Sequence, residues 1–179
     1  ALSSAASDVY KRQMYDRLTK KDIEKMEQEI EHRKLVVRKE ALEDVKEARA
    51  HGDLSENFEY KAAKKFKNEN ESRIRYLEKM IKTAQIVEDE ASSEEVGLND
   101  RIRVYMEDED CEEEYKIVTT IRSNALKNMI SIESPLGKAL LGHKKDDRVF
   151  VQVKEKVGYY VKILEIMKSD DESEAINKF

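Results

Sequence analysis

Tryptophan is absent from this sequence, and its 179 residues hold one proline, five glycines and one cysteine. So few helix breakers leave long stretches in which nothing forces the chain out of a helix. Charged residues make up 41 % and hydrophobic residues 39 %, a balance that suits exposed helices better than a bulky globular core. The lone Cys111 excludes a disulfide framework and a cysteine-based zinc site. Its neighbours Glu112, Glu113 and Glu114 disfavour a thiolate, so the thiol reads as inert. His32, His51 and His143 lie far apart, without metal-ligand spacing. No apolar run approaches the ~20 residues of a membrane span. No membrane partner is therefore expected, and the chain reads as cytoplasmic. A net charge of −5 is modest, so contact with nucleic acid would need a local basic patch or a protein partner.

Five segments emerge. Residues 1–13 (ALSSAASDVYKRQ) do not join the pattern that follows and are expected to be non-native to the fold. Residues 14–90 read as a coiled-coil hairpin. From about Thr19 to Ala50, Glu, Lys, Arg, Ala and Leu dominate, with Thr19 and Asp22 as a plausible capping start. Ile23, Met26 and Ile30 recur at spacings of three and four, and Leu35, Leu42 and Val45 continue the series. A second helical stretch runs from about Leu54 to Val87, its seam carried by Ile74, Leu77, Ile81 and Ala84. At 1.5 Å per residue, each arm would be about 45–50 Å long. Residues 91–100 read as a polar linker containing Gly97.

From residue 101 to 168 the period changes to two, which argues for strands. They are expected at Arg101–Met106, Glu114–Thr119, Met129–Glu133, Arg148–Lys154 and Tyr159–Ile166. Between the third and fourth lies SPLGKALLG, with Ser134 at the N-cap, Pro135 at the first helical position and Gly142 just past the end. The fold class is therefore α+β and multidomain: a helical hairpin, then a small domain with an antiparallel sheet and one helix. Leu136, Leu140 and Leu141 are expected in its core and Lys138 at its surface. Residues 169–179 form an acidic tail expected to fray.

The stretch HGDLSEN, residues 51–57, interrupts the helices. Local helix physics accounts for it in one way: Gly52 ends the first arm, and Asp53 caps the second with Glu56 completing a capping box. Geometry offers another. Two carboxylates one turn apart at the end of a rod suit oxygen coordination of magnesium, as a supplement to a site supplied by another molecule. Behind the tip, Lys61, Lys64, Lys65 and Lys67 cluster on the second arm, with Lys46 and Arg49 opposite. They read either as a solvated face with intrahelical pairs or as a collar for phosphates. Phe58 and Tyr60 are candidates for stacking on bases, Phe58 equally for packing across the tip.

The motif ARAHGDLSENFEYKAA, residues 48–63, resembles the tip of the bacterial Gre transcript-cleavage factors, the GreA/GreB family, and is most like its GreA branch. ESRIRYLE (71–78) resembles the returning helix of that family, and SPLGKALLG (134–142) a second signature in its C-terminal domain. The resemblance spans about residues 18–166. It implies an N-terminal coiled-coil hairpin and a C-terminal FKBP-like domain. It also implies RNA polymerase as partner, with the hairpin entering the secondary channel and meeting the nascent RNA 3′ end. The family's tip acids fall on Asp53 and Glu56, which would help hold a magnesium ion shared with the polymerase and so stimulate its cleavage of backtracked RNA. The factor itself would bind no cofactor alone, would not be an enzyme, and would act as a monomer. Arg49, Ser55, Asn57, Tyr60, Lys61, Lys64, Lys65 and Lys138 become the expected RNA or polymerase contacts. The sequence departs from the family at Phe58, where a small residue is usual, at Asp22, where a glycine is common, and at Lys154–Gly158, which lacks the usual Thr-Pro-Gly-Gly.

Three other readings compete. A channel-binding regulator of the same fold would occupy polymerase without stimulating cleavage. A peptidyl-prolyl isomerase would need an apolar aromatic pocket, whereas this domain has no Trp and only scattered Tyr105, Tyr115, Phe150, Tyr159 and Tyr160. A plain coiled-coil adaptor or chaperone would be indifferent to mutation of the tip.

Overall fold

The structure, a computed structural model, describes residues 17–53 and 57–178. The expected segment 1–13 and the residues Leu54, Ser55 and Glu56 lie outside that range. The chain divides into two compact units, one of residues 22–84 and one of residues 17–21 with 85 onward.

The first unit is an antiparallel helical hairpin. Its outgoing arm comprises α1 (Lys20–His32), a π-helical turn (Arg33–Val37) and α2 (Arg38–Ala50); the return is α3 (Phe58–Thr83). The outgoing arm is about 45 Å long and α3 only about 40 Å, because α3 begins later and ends earlier than its composition suggests. Met26, Ala41, Ala48, Ile74 and Leu77 are buried along the seam. Leu35 and Leu42 are not; they are 67 % and 51 % exposed. The π turn explains the exchange. It takes one extra residue per turn, so Ala41 stands one residue beyond two heptads from Met26, and the small alanines face the partner instead of the leucines.

Polar groups hold the same level of the hairpin. The Arg33 carbonyl accepts from the Arg38 N–H, the i to i+5 bond of the π turn, and also from Asn70 Nδ2 at 3.4 Å. Arg33 Nη1 donates to Asn70 Oδ1 at 3.1 Å. Glu29 receives Arg33 Nε at 2.7 Å and the buried Arg73 through Nε at 2.9 Å and Nη2 at 3.1 Å. Burial pushes the Glu29 carboxyl up, but the two guanidinium groups outweigh it and hold it below the usual value. Further along, Arg38 makes a forked pair with Glu71 at 2.7 and 2.8 Å.

The second unit contains two sheets. Short strands β1 (Arg17–Leu18) and β2 (Gln85–Ile86) pair in parallel. The main sheet has the order β5-β4-β3-β7-β6, from β3 (Arg101–Met106), β4 (Cys111–Val118), β5 (Met129–Ser131), β6 (Arg148–Lys154) and β7 (Val157–Met167). The expectation of a wholly antiparallel sheet needs correction: β4 and β5 pair in parallel. Residues 119–128 between them fold into two 3₁₀ turns, and that length lets the chain cross over rather than reverse in a hairpin. Alternate residues Ile102, Val104, Val149, Val151, Val161 and Ile163 face one side of the sheet, where α4 (Pro135–Leu140) covers them with Leu136 and Leu140. Ser134 Oγ accepts from the Gly137 N–H at 3.0 Å, and Gly142 has φ +76° just past the helix, as the motif predicts. The two-residue turn between β6 and β7 places Lys156 at φ +61°, a left-handed position that glycine fills without strain.

Two segments behave differently from expectation. Residues 91–100 are no free linker: Val96, Leu98, Asn99 and Asp100 are buried. Val96 exchanges backbone hydrogen bonds with His143 and Gly142, and Asp100 accepts from the Gly97 N–H and Lys168 Nζ, both at 2.7 Å. Nor does the tail fray. Lys116 and Arg122 are buried cations of the sheet region, and the tail supplies carboxylates to both.

Candidate functional site at the hairpin tip

Gly52 ends the outgoing arm. The His51 N–H donates to the Ala48 carbonyl, and Gly52 follows at φ +122°, where a side chain would be strained although no atom stands in its way. The return helix is capped by Asn57, contrary to the expectation that Asp53 caps it. Asn57 Oδ1 accepts from the Tyr60 N–H at 2.9 Å, while Asn57 Nδ2 donates to the Ala48 carbonyl at 2.7 Å. One amide therefore closes the start of α3 and gives the Ala48 carbonyl at the end of α2 a second donor beside the His51 N–H. Aspartate or serine could supply the first bond but not the second, so an amide is the side chain this corner uses. The signal was present in the sequence, since Asn is a strong cap former two residues before Glu59, but Asp53 with Glu56 matched the more familiar pattern.

Asp53 is exposed at the tip, beyond both helix ends. Its expected partner in the acidic pair, Glu56, and Ser55 lie outside the described residues, so their separation from Asp53 is not part of this geometry.

Basic and aromatic groups collect behind the tip. The Arg49 guanidinium lies 5.5 Å from the Tyr60 ring centroid, with Nη2 3.5 Å from the hydroxyl, and Lys64 Nζ is 6.0 Å from the same ring. The Arg49 hydrogen bond, followed by the charges of Lys64 and Lys67, holds the Tyr60 phenol below its ordinary pKa. Lys61 Nζ sits 5.7 Å from the Phe58 ring, and Phe58 itself is 83 % exposed. It does not pack across the tip. His51 Nδ1 is 3.4 Å from Glu59 Oε2. Lys61, Lys64, Lys65, Asn68, Glu69 and Ser72 line a shallow hollow on α3. Lys65 pairs with Glu69 one turn on at 3.8 Å, the intrahelical arrangement the sequence allowed for.

Arg49, Asn57, Tyr60, Lys61, Lys64 and Lys65 thus belong to one end of the hairpin. Lys138 belongs to the other unit; it is exposed on α4 and pairs with Glu133 at 3.1 Å, which also binds Arg17 at 2.6 Å. Cys111 is half-buried, and burial followed by the charges of Glu109 and Glu113 raises its pKa, in line with an inert thiol. No helix among the described residues is long and apolar enough to cross a membrane.

The chain is similar to known proteins over most of its length. Residues 17–86 match the family described as "Transcription elongation factor, N-terminal", and residues 91–168 match "Transcription elongation factor, GreA/GreB, C-term". The chain is 42 % identical to transcription elongation factor GreA of Lachnoclostridium phytofermentans, covering 86 % of this chain and 96 % of that protein. To GreA of Thermoanaerobacter pseudethanolicus it is 43 % identical, covering 84 % and 96 %. Among solved structures, the GreA factor homolog 1 of Thermus thermophilus is 28 % identical, covering 86 % of this chain and 99 % of that one, with a TM-score of 0.39. On two family matches that together take in both units of the fold, this chain belongs to the GreA/GreB family of transcription elongation factors.

Proposed function

We propose that this elongation factor binds RNA polymerase, brings its hairpin tip through the secondary channel to the catalytic centre, and stimulates magnesium-dependent cleavage of backtracked RNA. The observation that carries this reading is the cap. Asn57 closes the return helix, so the N-cap of α3 is not the role of Asp53. Asp53 is exposed at the extremity of an arm about 45 Å long.

The donors fit a shared magnesium ion. Carboxylate oxygens are the ligands magnesium prefers, and it is usually held by one or two of them with water and phosphate completing the shell. Asp53 and Glu56 would supply two carboxylates, and the polymerase would complete the shell. When bound, such an ion stabilises the charge on attacking and leaving oxygens. Asp53, with Glu56 as second acid, orients a water as well as adding ligand oxygens. Arg49, Lys61, Lys64 and Lys65 attract the phosphates of the RNA 3′ end, and Tyr60 offers a ring already flanked by cations. Asn57 joins the two helix ends at the tip, Ser55 is a further tip contact, and exposed Lys138 meets the polymerase from the second unit.

The test is a halted, backtracked transcription complex carrying 3′-labelled RNA. Cleavage should accelerate with this protein and fall to the unassisted rate with Asp53→Asn plus Glu56→Gln. A wild-type protein that competes for the channel yet leaves cleavage unchanged would overturn the proposal and leave a channel-occupying regulator.

A further inference from the structure

The tail beyond residue 168 lies outside both family matches, yet its carboxylates and amides bond to buried groups of the second unit. Lys116 on β4 has 2 % of its side chain exposed and Arg122 has none. Lys116 Nζ donates to Glu174 Oε1, to the Asp171 carbonyl at 2.8 Å and to Asp171 Oδ2 at 3.4 Å. Arg122 Nη1 donates to Glu174 Oε2 at 3.2 Å, so one carboxylate bridges two buried cations. Around this centre the strap is pinned on both sides. Glu172 accepts from Thr19 Oγ1 at 3.1 Å and Asn99 Nδ2 at 3.0 Å; the Asn177 N–H donates to the Ile121 carbonyl at 2.7 Å and its Nδ2 to the Ser123 carbonyl at 2.9 Å.

Two buried cations converging on a single carboxylate form an oxyanion site whose occupant is part of the chain. We propose that Lys116 and Arg122 constitute a phosphate-class anion site on the β unit, held closed by its own acidic tail acting as a displaceable internal ligand. The occupant is placed for exchange. Asp171 keeps 53 % and Glu174 17 % of the side chain exposed, so the carboxylates approach from the surface while the cations lie beneath them. A tethered carboxylate competes at millimolar effective concentration, which keeps the site shut against dilute external anions. Acid is not the trigger. Asp171 is held at about 2 by the Ser173 hydroxyl and N–H and then by Lys116; burial pushes the Glu174 carboxyl up, but the Lys116 bond, its own backbone N–H and the charges of Lys116 and Arg122 together hold it below the usual value. Both carboxylates therefore stay charged at neutral pH, and the tail is released by competition.

The experiment compares the full chain with Asp171→Asn/Glu174→Gln and with a chain ending at Lys168. Thermal midpoints are read at constant ionic strength with chloride exchanged for inorganic phosphate, and in a second arm with a short RNA lacking terminal phosphates. Both altered chains should melt lower in chloride, and ligand should restore them with at least about tenfold higher affinity than the parent shows. Lys116→Met added to the double variant should abolish the response. Response to phosphate alone assigns the site to a free anion, and response to both ligands assigns it to a phosphodiester. An altered chain silent to both, or a parent that responds equally, overturns the proposal.

Discussion

Replacing Asn57 separates the two bonds that shape the tip. Asn57→Ala removes an N-cap, at a cost of roughly 1 kcal/mol within a range of 0.5–2. It also removes the donor to the Ala48 carbonyl, a bond of about 1 kcal/mol net. Asn57 is only half-buried, so water partly re-solvates that carbonyl, and the total should be about 1.5–2 kcal/mol. Asn57→Ser keeps a cap acceptor but is too short to reach Ala48, and should cost about 1 kcal/mol. Urea unfolding followed by far-ultraviolet circular dichroism gives both values, with an unchanged slope expected because the exposed surface is the same. In the cleavage assay both variants should lose stimulation while still competing for polymerase, since the bond that joins the two helix ends at the tip is lost. An Asn57→Ala chain within about 0.5 kcal/mol of the parent, the spread of ordinary surface substitutions, would refute the cap assignment. An Asn57→Ser chain as stable as the parent would refute the bond across the tip.

Two further outcomes follow from the same contacts. Glu29→Gln takes the carboxylate from the buried Arg73 and should destabilise the hairpin by up to about 3 kcal/mol, the low end for a broken buried pair because Glu29 is partly exposed. The folded-state pKa of Glu29 is lowered, so its contribution is present above the ordinary value of 4.5 and lost as pH falls through the lowered one; the gap between parent and variant should close in acid. A gap independent of pH would refute the ionic role. In the second unit, Gly137→Ala would set a Cβ 2.1 Å from the Ser131 carbonyl oxygen and should cost about 3 kcal/mol in thermal or denaturant melts. An unaffected melting point would show that α4 sits farther from β5.

The sequence by itself determined what depends on near neighbours. Helix formers without glycine or proline make the two arms, Gly52 parts them, alternation marks β3 and β6 to the residue, and SPLGKALLG carries both caps of α4. Each of these is a local preference, expressed within a few residues of its cause. The gathering of Lys61, Lys64 and Lys65 with Arg49 and Tyr60 at one end of the hairpin was legible for the same reason, being close in the chain. The tertiary structure decided what depends on partners far away. A π turn braced by Asn70 moved the seam from leucines to alanines. The cap is Asn57, whose amide also donates to a carbonyl nine residues earlier on the other arm. Crossover geometry made β5 parallel. The segments read as linker and loose tail became fixed because Asp100, Lys116 and Arg122 are buried charges, and a buried charge must find its counterpart wherever the fold brings one.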